Sequence, residues 1–117
     1  MSKPDHKSFK SPEETRTFEK GKLELITVGW GIIGRFTLEP GWRWSKHIKP
    51  IVKTQFCEAR HFAYHLSGCL HVMMEDGTEF DVHAGEVVWI PSGHDAWVAG
   101  NEPVVFLDWS GSINYGV

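Results

Sequence analysis

Short β-prone segments recur along this chain from Lys22 onward, and turns rich in glycine, proline or Asp-Gly separate them. In the segment 60–67, His61, Ala63 and His65 alternate with bulkier side chains, as in a strand with two distinct faces. The Asp-Gly pair in 75–78 predicts a tight hairpin. Further strands are predicted at 22–28, 70–74, 80–82, 87–90, 96–98 and 104–109. This pattern, without any long helical period, predicts an all-β sandwich or barrel.

The first twenty residues differ from the rest in composition. Residues 1 to about 11 are polar and have no periodicity, which predicts an N-terminal arm. Ser11-Pro12-Glu13-Glu14 combines an N-cap residue, a proline and acidic residues, so it predicts one helical turn. We therefore predict an arm over 1–20 and one β-barrel domain over 21–117. The run 41–47 is predicted to be extended.

Charge and hydropathy exclude several classes of partner. The net charge of −3 gives no reason to expect binding to nucleic acid or to an anionic membrane. No apolar run approaches the roughly 18 residues of a membrane span, and no secretory signal is visible. Cys57 and Cys69 do not form a CxxC pair. We therefore expect a cytoplasmic protein with free thiols.

A glycine pattern typical of dinucleotide-binding loops, GxGxxG, occurs at 29–34. Such a site needs a helix that opens at the turn. The residues that follow, 35–38, are β-prone and end at Pro40-Gly41. We interpret these glycines as turn and strand residues.

The chain contains seven histidines, and three of them lie near the predicted ends of strands: His47, His61 and His94. One inward-facing histidine per strand is enough to form a common site inside a barrel. Cys57 adds a thiolate near His61, and a Cys/His set favours Zn²⁺ over Fe, Ni or Mn. The alternative is that these are ordinary surface or core histidines.

Two further pairs of residues bear on the chemistry of the site. His61 and His65 share a strand face but lie about 13 Å apart, so they cannot share one ion, and a structural role is favoured for His65. His94 and Asp95 are a candidate general acid–base pair. Adjacent strand residues face opposite ways, however, and a turn-capping role for Asp95 is favoured.

Taken together, these positions resemble the cupin family, and in particular its small single-domain members. The first cupin motif is matched by Gly41 with His47, and by Gly68 seven residues after His61. The second motif is matched at Gly85, Pro91 and Gly93. The resemblance covers about residues 30–110. It implies a jelly-roll barrel of two antiparallel sheets, commonly dimeric, with any metal inside the barrel mouth.

The chain departs from the cupin pattern at three metal-ligand positions. Lys49 replaces the second histidine, His61 replaces the glutamate, and Ala96 replaces the last histidine, with His94 two residues earlier. The usual site of three histidines and one glutamate is therefore not expected. The resemblance implies a changed metal site with candidate ligands His47, Cys57, His61 and His94.

Two functions are compatible with these residues. The first is a cupin that binds a divalent metal ion and acts on a small organic molecule. The second is a metal-free domain that binds or senses a small ligand. Catalysis is left open. In either case we expect a homodimer, and a ligand pocket formed by Trp42, Trp44, Lys49, Asp95 and Trp97.

Overall fold

A computed structural model describes residues 3–109 of the chain. Nine strands and two one-turn helices lie within these residues. In chain order they are β1 (Glu14–Phe18), β2 (Gly21–Val28), β3 (Gly31–Leu38), α1 (Trp44–His47), α2 (Lys49–Val52), β4 (His61–Ser67), β5 (Cys69–Met74), β6 (Glu79–His83), β7 (Val87–Ile90), β8 (His94–Ala99) and β9 (Val104–Asp108).

The strands form two antiparallel sheets. The larger sheet has six strands in the order β1-β2-β3-β9-β4-β7, and the smaller has three in the order β6-β5-β8. Every paired neighbour runs antiparallel. The predicted all-β class and the jelly-roll arrangement of two antiparallel sheets are confirmed. The site described below lies between the sheets.

One apolar core joins the two sheets. The larger sheet contributes Leu23 and Phe36, and the smaller contributes Val72, all buried. Strand alternation explains which residues are buried, because every second residue of a strand faces the opposite sheet. The same alternation places polar residues of β4 and β8, His61 and His94, on the inward face.

The predicted helical turn at residues 11–14 is wrong. Glu14 begins β1, which pairs with β2 from Glu14↔Leu25 to Phe18↔Gly21. The ladder gives the strand more hydrogen bonds than one isolated helical turn would have, and tertiary pairing overrides the local capping signal. Before β1, the chain contacts the turn between β2 and β3, where the Asp5 carboxylate accepts a hydrogen bond of 2.8 Å from the Gly29 amide.

The predicted extended run at 41–47 is also only partly right. Its second half is α1, and α2 follows directly. The cause lies far away in the sequence: the Asp95 carboxylate accepts a hydrogen bond of 3.1 Å from the Ser45 amide in the first turn of α1. This contact replaces the local cap that Arg43 does not provide.

Candidate metal centre

Cys57 lies in the loop before β4, and backbone hydrogen bonds attach this loop to the start of β8. The Cys57 amide donates to the His94 carbonyl at 2.7 Å, and the Gly93 amide donates to the Cys57 carbonyl at 2.8 Å. Gly93 has φ of 92°, a value that residues with a side chain rarely adopt. The Pro-Ser-Gly turn therefore fixes the thiol of Cys57 beside the ring of His94.

His61 is the first residue of β4, and a buried carboxylate holds its ring. Nδ1 lies 2.5 Å from Oδ2 of Asp108, the last residue of β9. The other carboxylate oxygen accepts a hydrogen bond of 3.2 Å from the Phe62 amide. With Nδ1 bonded to Asp108, the Nε2 atom of His61 is directed towards Cys57, whose Sγ is 4.0 Å away.

His94 has the same arrangement of its two ring nitrogens. Its Nδ1–H donates a hydrogen bond of 2.9 Å to the Pro91 carbonyl, which leaves Nε2 as the acceptor nitrogen. The ring meets that of His61 edge-on, with 5.4 Å between the centroids. Both histidines thus use Nδ1 for a second partner and keep Nε2 for the interior, as is usual for metal-binding histidines.

Together, Cys57, His61 and His94 form what we call the buried triad. All three are buried, and their ligand atoms lie within 4.8 Å of one another. In a tetrahedral zinc site with bonds of 2.0–2.3 Å, neighbouring ligand atoms are about 3.5 Å apart. The triad therefore needs to contract by only about 1 Å to hold an ion.

Without a metal, Cys57 and His61 of the triad form an acid–base pair. Burial on its own raises the pKa of Cys57, but hydrogen bonds with His61 and His94 outweigh it and lower that pKa to about 6. Burial likewise lowers the pKa of His61, but Asp108 and Cys57 outweigh it and raise that pKa to about 9. Near neutral pH the thiol is thus a thiolate, the form in which cysteine binds metal.

A cavity between the sheets adjoins the triad, and its volume is about 20 Å³. One water molecule needs about 10–15 Å³, so the cavity has room for little more than one. Apart from the triad and His65, apolar and aromatic side chains form its walls, among them Phe36, Leu38, Trp42, Trp44 and Phe106.

His65 lies on the same wall but does not join the triad. It is 1% exposed and stacks on Phe106 with 4.7 Å between the ring centroids. Neither ring nitrogen has a hydrogen-bond partner among residues 3–109. Burial lowers the pKa of His65 to about 4, so the ring is neutral at physiological pH.

The structure does not bring His47 into the triad. His47 ends α1, and its Nδ1 accepts a hydrogen bond of 3.0 Å from the Arg43 amide. Its Nε2 lies 3.4 Å from Glu19 and makes no hydrogen bond within the described part of the chain. Since the Nδ1 lone pair is already used, this ring has no free lone pair for an ion.

The five predicted pocket residues separate into two groups. Trp42 and Trp44 are buried and line the cavity. The cavity is not lined by Asp95, Trp97 or Lys49. Asp95 and Trp97 alternate with the inward-facing residues of β8, so they face the other side of the sheet. Asp95 there accepts hydrogen bonds from Arg43 at 3.1 and 3.2 Å, and the Arg43 guanidinium stacks over Trp97 at 4.2 Å.

The residue that the sequence reasoning missed is Asp108. A signal for it exists, because Val104, Phe106 and Asp108 alternate along β9 and all are buried. A carboxylate at the inward position of an apolar strand needs a buried partner. Here that partner is His61, and the sequence gives no direct indication of the pairing.

Comparison with known proteins identifies the fold. No family model matches the chain, and no curated protein matches it. Among solved structures, Bacillus subtilis oxalate decarboxylase is similar with a TM-score of 0.63 and 23% identity over 96% of this chain. This chain spans only 30% of the length of that enzyme.

Two shorter proteins are also similar. A protein of unknown function from Acidithiobacillus ferrooxidans has a TM-score of 0.60 and 19% identity, over 82% of this chain and 85% of its own. The ethanolamine utilization protein Q of Salmonella typhimurium has a TM-score of 0.53 and 20% identity, over 79% of this chain and 69% of its own. These likenesses confirm the cupin-type jelly-roll fold. Among the described residues no helix is long and apolar enough to cross a membrane.

Proposed function

We propose that the buried triad of this cupin-fold chain binds a divalent transition-metal ion, Zn²⁺, through Cys57 Sγ, His61 Nε2 and His94 Nε2. The observation that carries the proposal is the convergence of these three buried donors within 4.8 Å. A thiolate with two imidazoles suits Zn²⁺ better than Mn²⁺, which favours oxygen ligands.

The environment of the triad supports an ion on electrostatic grounds. Asp108 is fully buried, and an isolated buried carboxylate is costly. A dication bound to Cys57 and His61 would compensate the charges of the thiolate and of Asp108. Asp108 would also hold His61 in the tautomer that presents Nε2, as carboxylates do behind many zinc-bound histidines.

The number of donors bears on what the ion does. Structural zinc sites have four protein ligands, whereas catalytic sites have three and leave one position for water or substrate. The triad supplies three, and the adjoining cavity of about 20 Å³ accommodates a water molecule at the fourth position. An ion there would act as a Lewis acid towards a small molecule. We therefore favour a metal-dependent activity on a small substrate.

The alternative, a metal-free pocket for an organic ligand, has less support. Pockets for drug-sized ligands usually measure about 300–1,000 Å³, far above this cavity. Of the predicted pocket residues only Trp42 and Trp44 line it.

Both cysteines are free thiols, as a thiolate ligand requires and as expected in the cytoplasm.

Elemental analysis tests the proposal directly. Protein purified without added metal, and then dialysed against limiting Zn²⁺, should keep metal in the triad. In a Cys69→Ser background, which leaves Cys57 as the only cysteine, His61→Ala should lose it. His65→Leu is the matched control, because it removes a buried histidine from the same face of β4 and should keep the metal. Absence of metal from the unsubstituted protein, or its retention in His61→Ala on the Cys69→Ser background, would overturn the metal proposal, and the first result would favour the metal-free pocket.

We also propose that the chain forms a homodimer through the outer face of β4 and β7. Half-exposed apolar side chains cluster there: Phe62, Tyr64, Leu66, Val87, Trp89 and Trp109. Within residues 3–109, β7 is the edge strand of the larger sheet, so no described strand pairs with one side of its backbone. A second copy would cover both features through a two-fold axis.

Light scattering coupled to size exclusion tests the dimer. The unsubstituted chain should have twice the monomer mass, and Trp89→Lys should reduce it to the monomer mass. Ile51→Lys, which adds the same charge at another exposed apolar residue, is the control and should stay dimeric. A monomeric unsubstituted chain would exclude the proposed interface.

A further inference from the structure

The outer face of the smaller sheet carries a second cluster of thiol, imidazole and carboxylate side chains, away from the cavity. Cys69 on β5 is directly opposite His83 on β6, and Asp81 is two residues before His83 on the same face. The thiol, imidazole and carboxylate donor atoms of these residues lie within 4.8 Å of one another. We call this set the surface triad.

Neighbouring side chains hold the carboxylate of the surface triad in place. The ring of His71, directly opposite Asp81, lies 2.6 Å from Asp81 Oδ1 through Nδ1 and 2.7 Å from Glu79 Oε1 through Nε2. Because carboxylate oxygens accept hydrogen bonds, a ring N–H of His71 is the donor in each contact. Carboxylates that bind metal are commonly oriented by such a second hydrogen bond.

The field at the surface triad favours a cation. Glu86 follows β6 and lies 3.3 Å from Nδ1 of His83. Asp81 therefore lies within the surface triad and Glu86 lies beside it, and both carboxylates would attract a divalent ion bound there.

We propose that Cys69, Asp81 and His83 form a second binding site for a Zn²⁺-class ion, independent of the buried triad. The donor set selects the ion, because thiolate and imidazole suit zinc and its neighbours and not Ca²⁺ or Mg²⁺. Asp81 and His83 are exposed, so the ion enters directly from solvent and keeps water in its remaining positions. The surface site therefore exchanges its ion faster than the buried triad and loses it first to a chelator.

Zinc stoichiometry separates the two sites. After equilibrium dialysis at saturating Zn²⁺, the unsubstituted chain is expected to hold two ions, His61→Ala one, Cys69→Ser one, and the double variant none. If Cys69→Ser binds as much zinc as the unsubstituted chain, the surface site is overturned while the buried one stands. If His61→Ala binds as much zinc as the unsubstituted chain, the buried site is overturned while the surface site stands.

Thiol protection provides a second measurement that does not depend on the buried triad. Zn²⁺ should slow the alkylation of Cys69 by iodoacetamide at least tenfold. Trypsin cleaves at Arg60, so the peptides with Cys57 and Cys69 are measured separately by mass spectrometry. Asp81→Asn should abolish most of the protection. Glu79→Gln is the matched control, because it also removes one negative charge and one partner of His71 but no proposed ligand. Equal protection in both variants, or none in the unsubstituted chain, would overturn the surface site.

Discussion

The Asp108 carboxylate lies 2.5 Å from Nδ1 of His61, a residue 47 positions earlier in the chain. The contact joins the end of β9 to the start of β4 beneath the buried triad. It fixes which nitrogen of His61 faces Cys57, and so makes Asp108 the positioning residue of the proposed metal centre.

Asp108→Asn should weaken Zn²⁺ binding by the buried triad about 10–100-fold, the usual effect of removing a hydrogen-bonding partner behind a metal ligand. The loss arises because the neutral amide stabilises neither the required tautomer of His61 nor the positive charge of the ion. Competition with a chromophoric chelator measures the affinity, preferably in a Cys69→Ser background.

The control for this substitution is Asp95→Asn, which alters another buried carboxylate that lies outside the cavity. It should lower the free energy of unfolding, because Asp95 binds Ser45 and Arg43, but leave zinc affinity unchanged. Equal zinc affinity in Asp108→Asn and the unsubstituted chain would contradict the positioning role.

In the metal-free protein, the thiolate of Cys57 should titrate with a midpoint near pH 6, whereas a free thiol has a pKa of about 9.0. Since this pKa is lower in the folded state, the thiolate's contribution to stability is fully present above pH 9.0 and is lost as the pH falls through about 6. Thiolate absorbance at 240 nm follows the titration, with Cys69→Ser used to remove the second thiol.

The pKa of His61 changes in the opposite direction on folding, since it rises from 6.5 to about 9. Its contribution to stability is fully present below pH 6.5 and is lost as the pH rises through about 9. In His61→Ala the midpoint of the Cys57 titration should move upward, because burial remains while the partner is gone. An unchanged midpoint would show that the two groups are not coupled.

His65→Leu should leave the free energy of unfolding unchanged or raise it. A buried polar atom without a partner costs about 1–3 kcal/mol, and leucine removes both unpartnered ring nitrogens of His65 at similar volume. Loss of the stack on Phe106 offsets part of the gain, by about 0.5–1.5 kcal/mol. Denaturant unfolding at pH 7 measures the change. A loss above about 2 kcal/mol would mean that the ring has a partner beyond residues 3–109, such as bound water.

Gly68→Ala should destabilise the fold more than Gly77→Ala does, although both glycines have positive φ, 76° and 92°. A Cβ on Gly68 would lie 2.5 Å from the Pro103 carbonyl oxygen, whereas one on Gly77 meets nothing within 4 Å. Gly77→Ala should therefore cost only the backbone strain, about 1–2 kcal/mol, and Gly68→Ala clearly more. Thermal unfolding of both variants measures the difference, and equal losses would contradict the close approach.

Much of the fold was predictable because its signals are local. The apolar run 87–90, between the turns at Gly85 and Pro91, predicts β7 with the bounds that the structure has, and the Asp-Gly turn predicts the hairpin of β5 and β6. Two predictions failed where distant contacts override local preference. Pairing with β2 makes Glu14 the start of a strand, and Asp95 caps α1 from 50 residues away.

The sequence by itself determined the positions of most strands, the all-β class, and Cys57, His61 and His94 as candidate ligands, because side-chain period and turn residues act over a few positions. Only the tertiary structure decided that these three converge, that His47 stays apart, and that Asp108 and Pro91 bind the Nδ1 atoms. The physical reason is that each ligand lies on a different segment. Their distances depend on the packing of the two sheets, which no local pattern encodes.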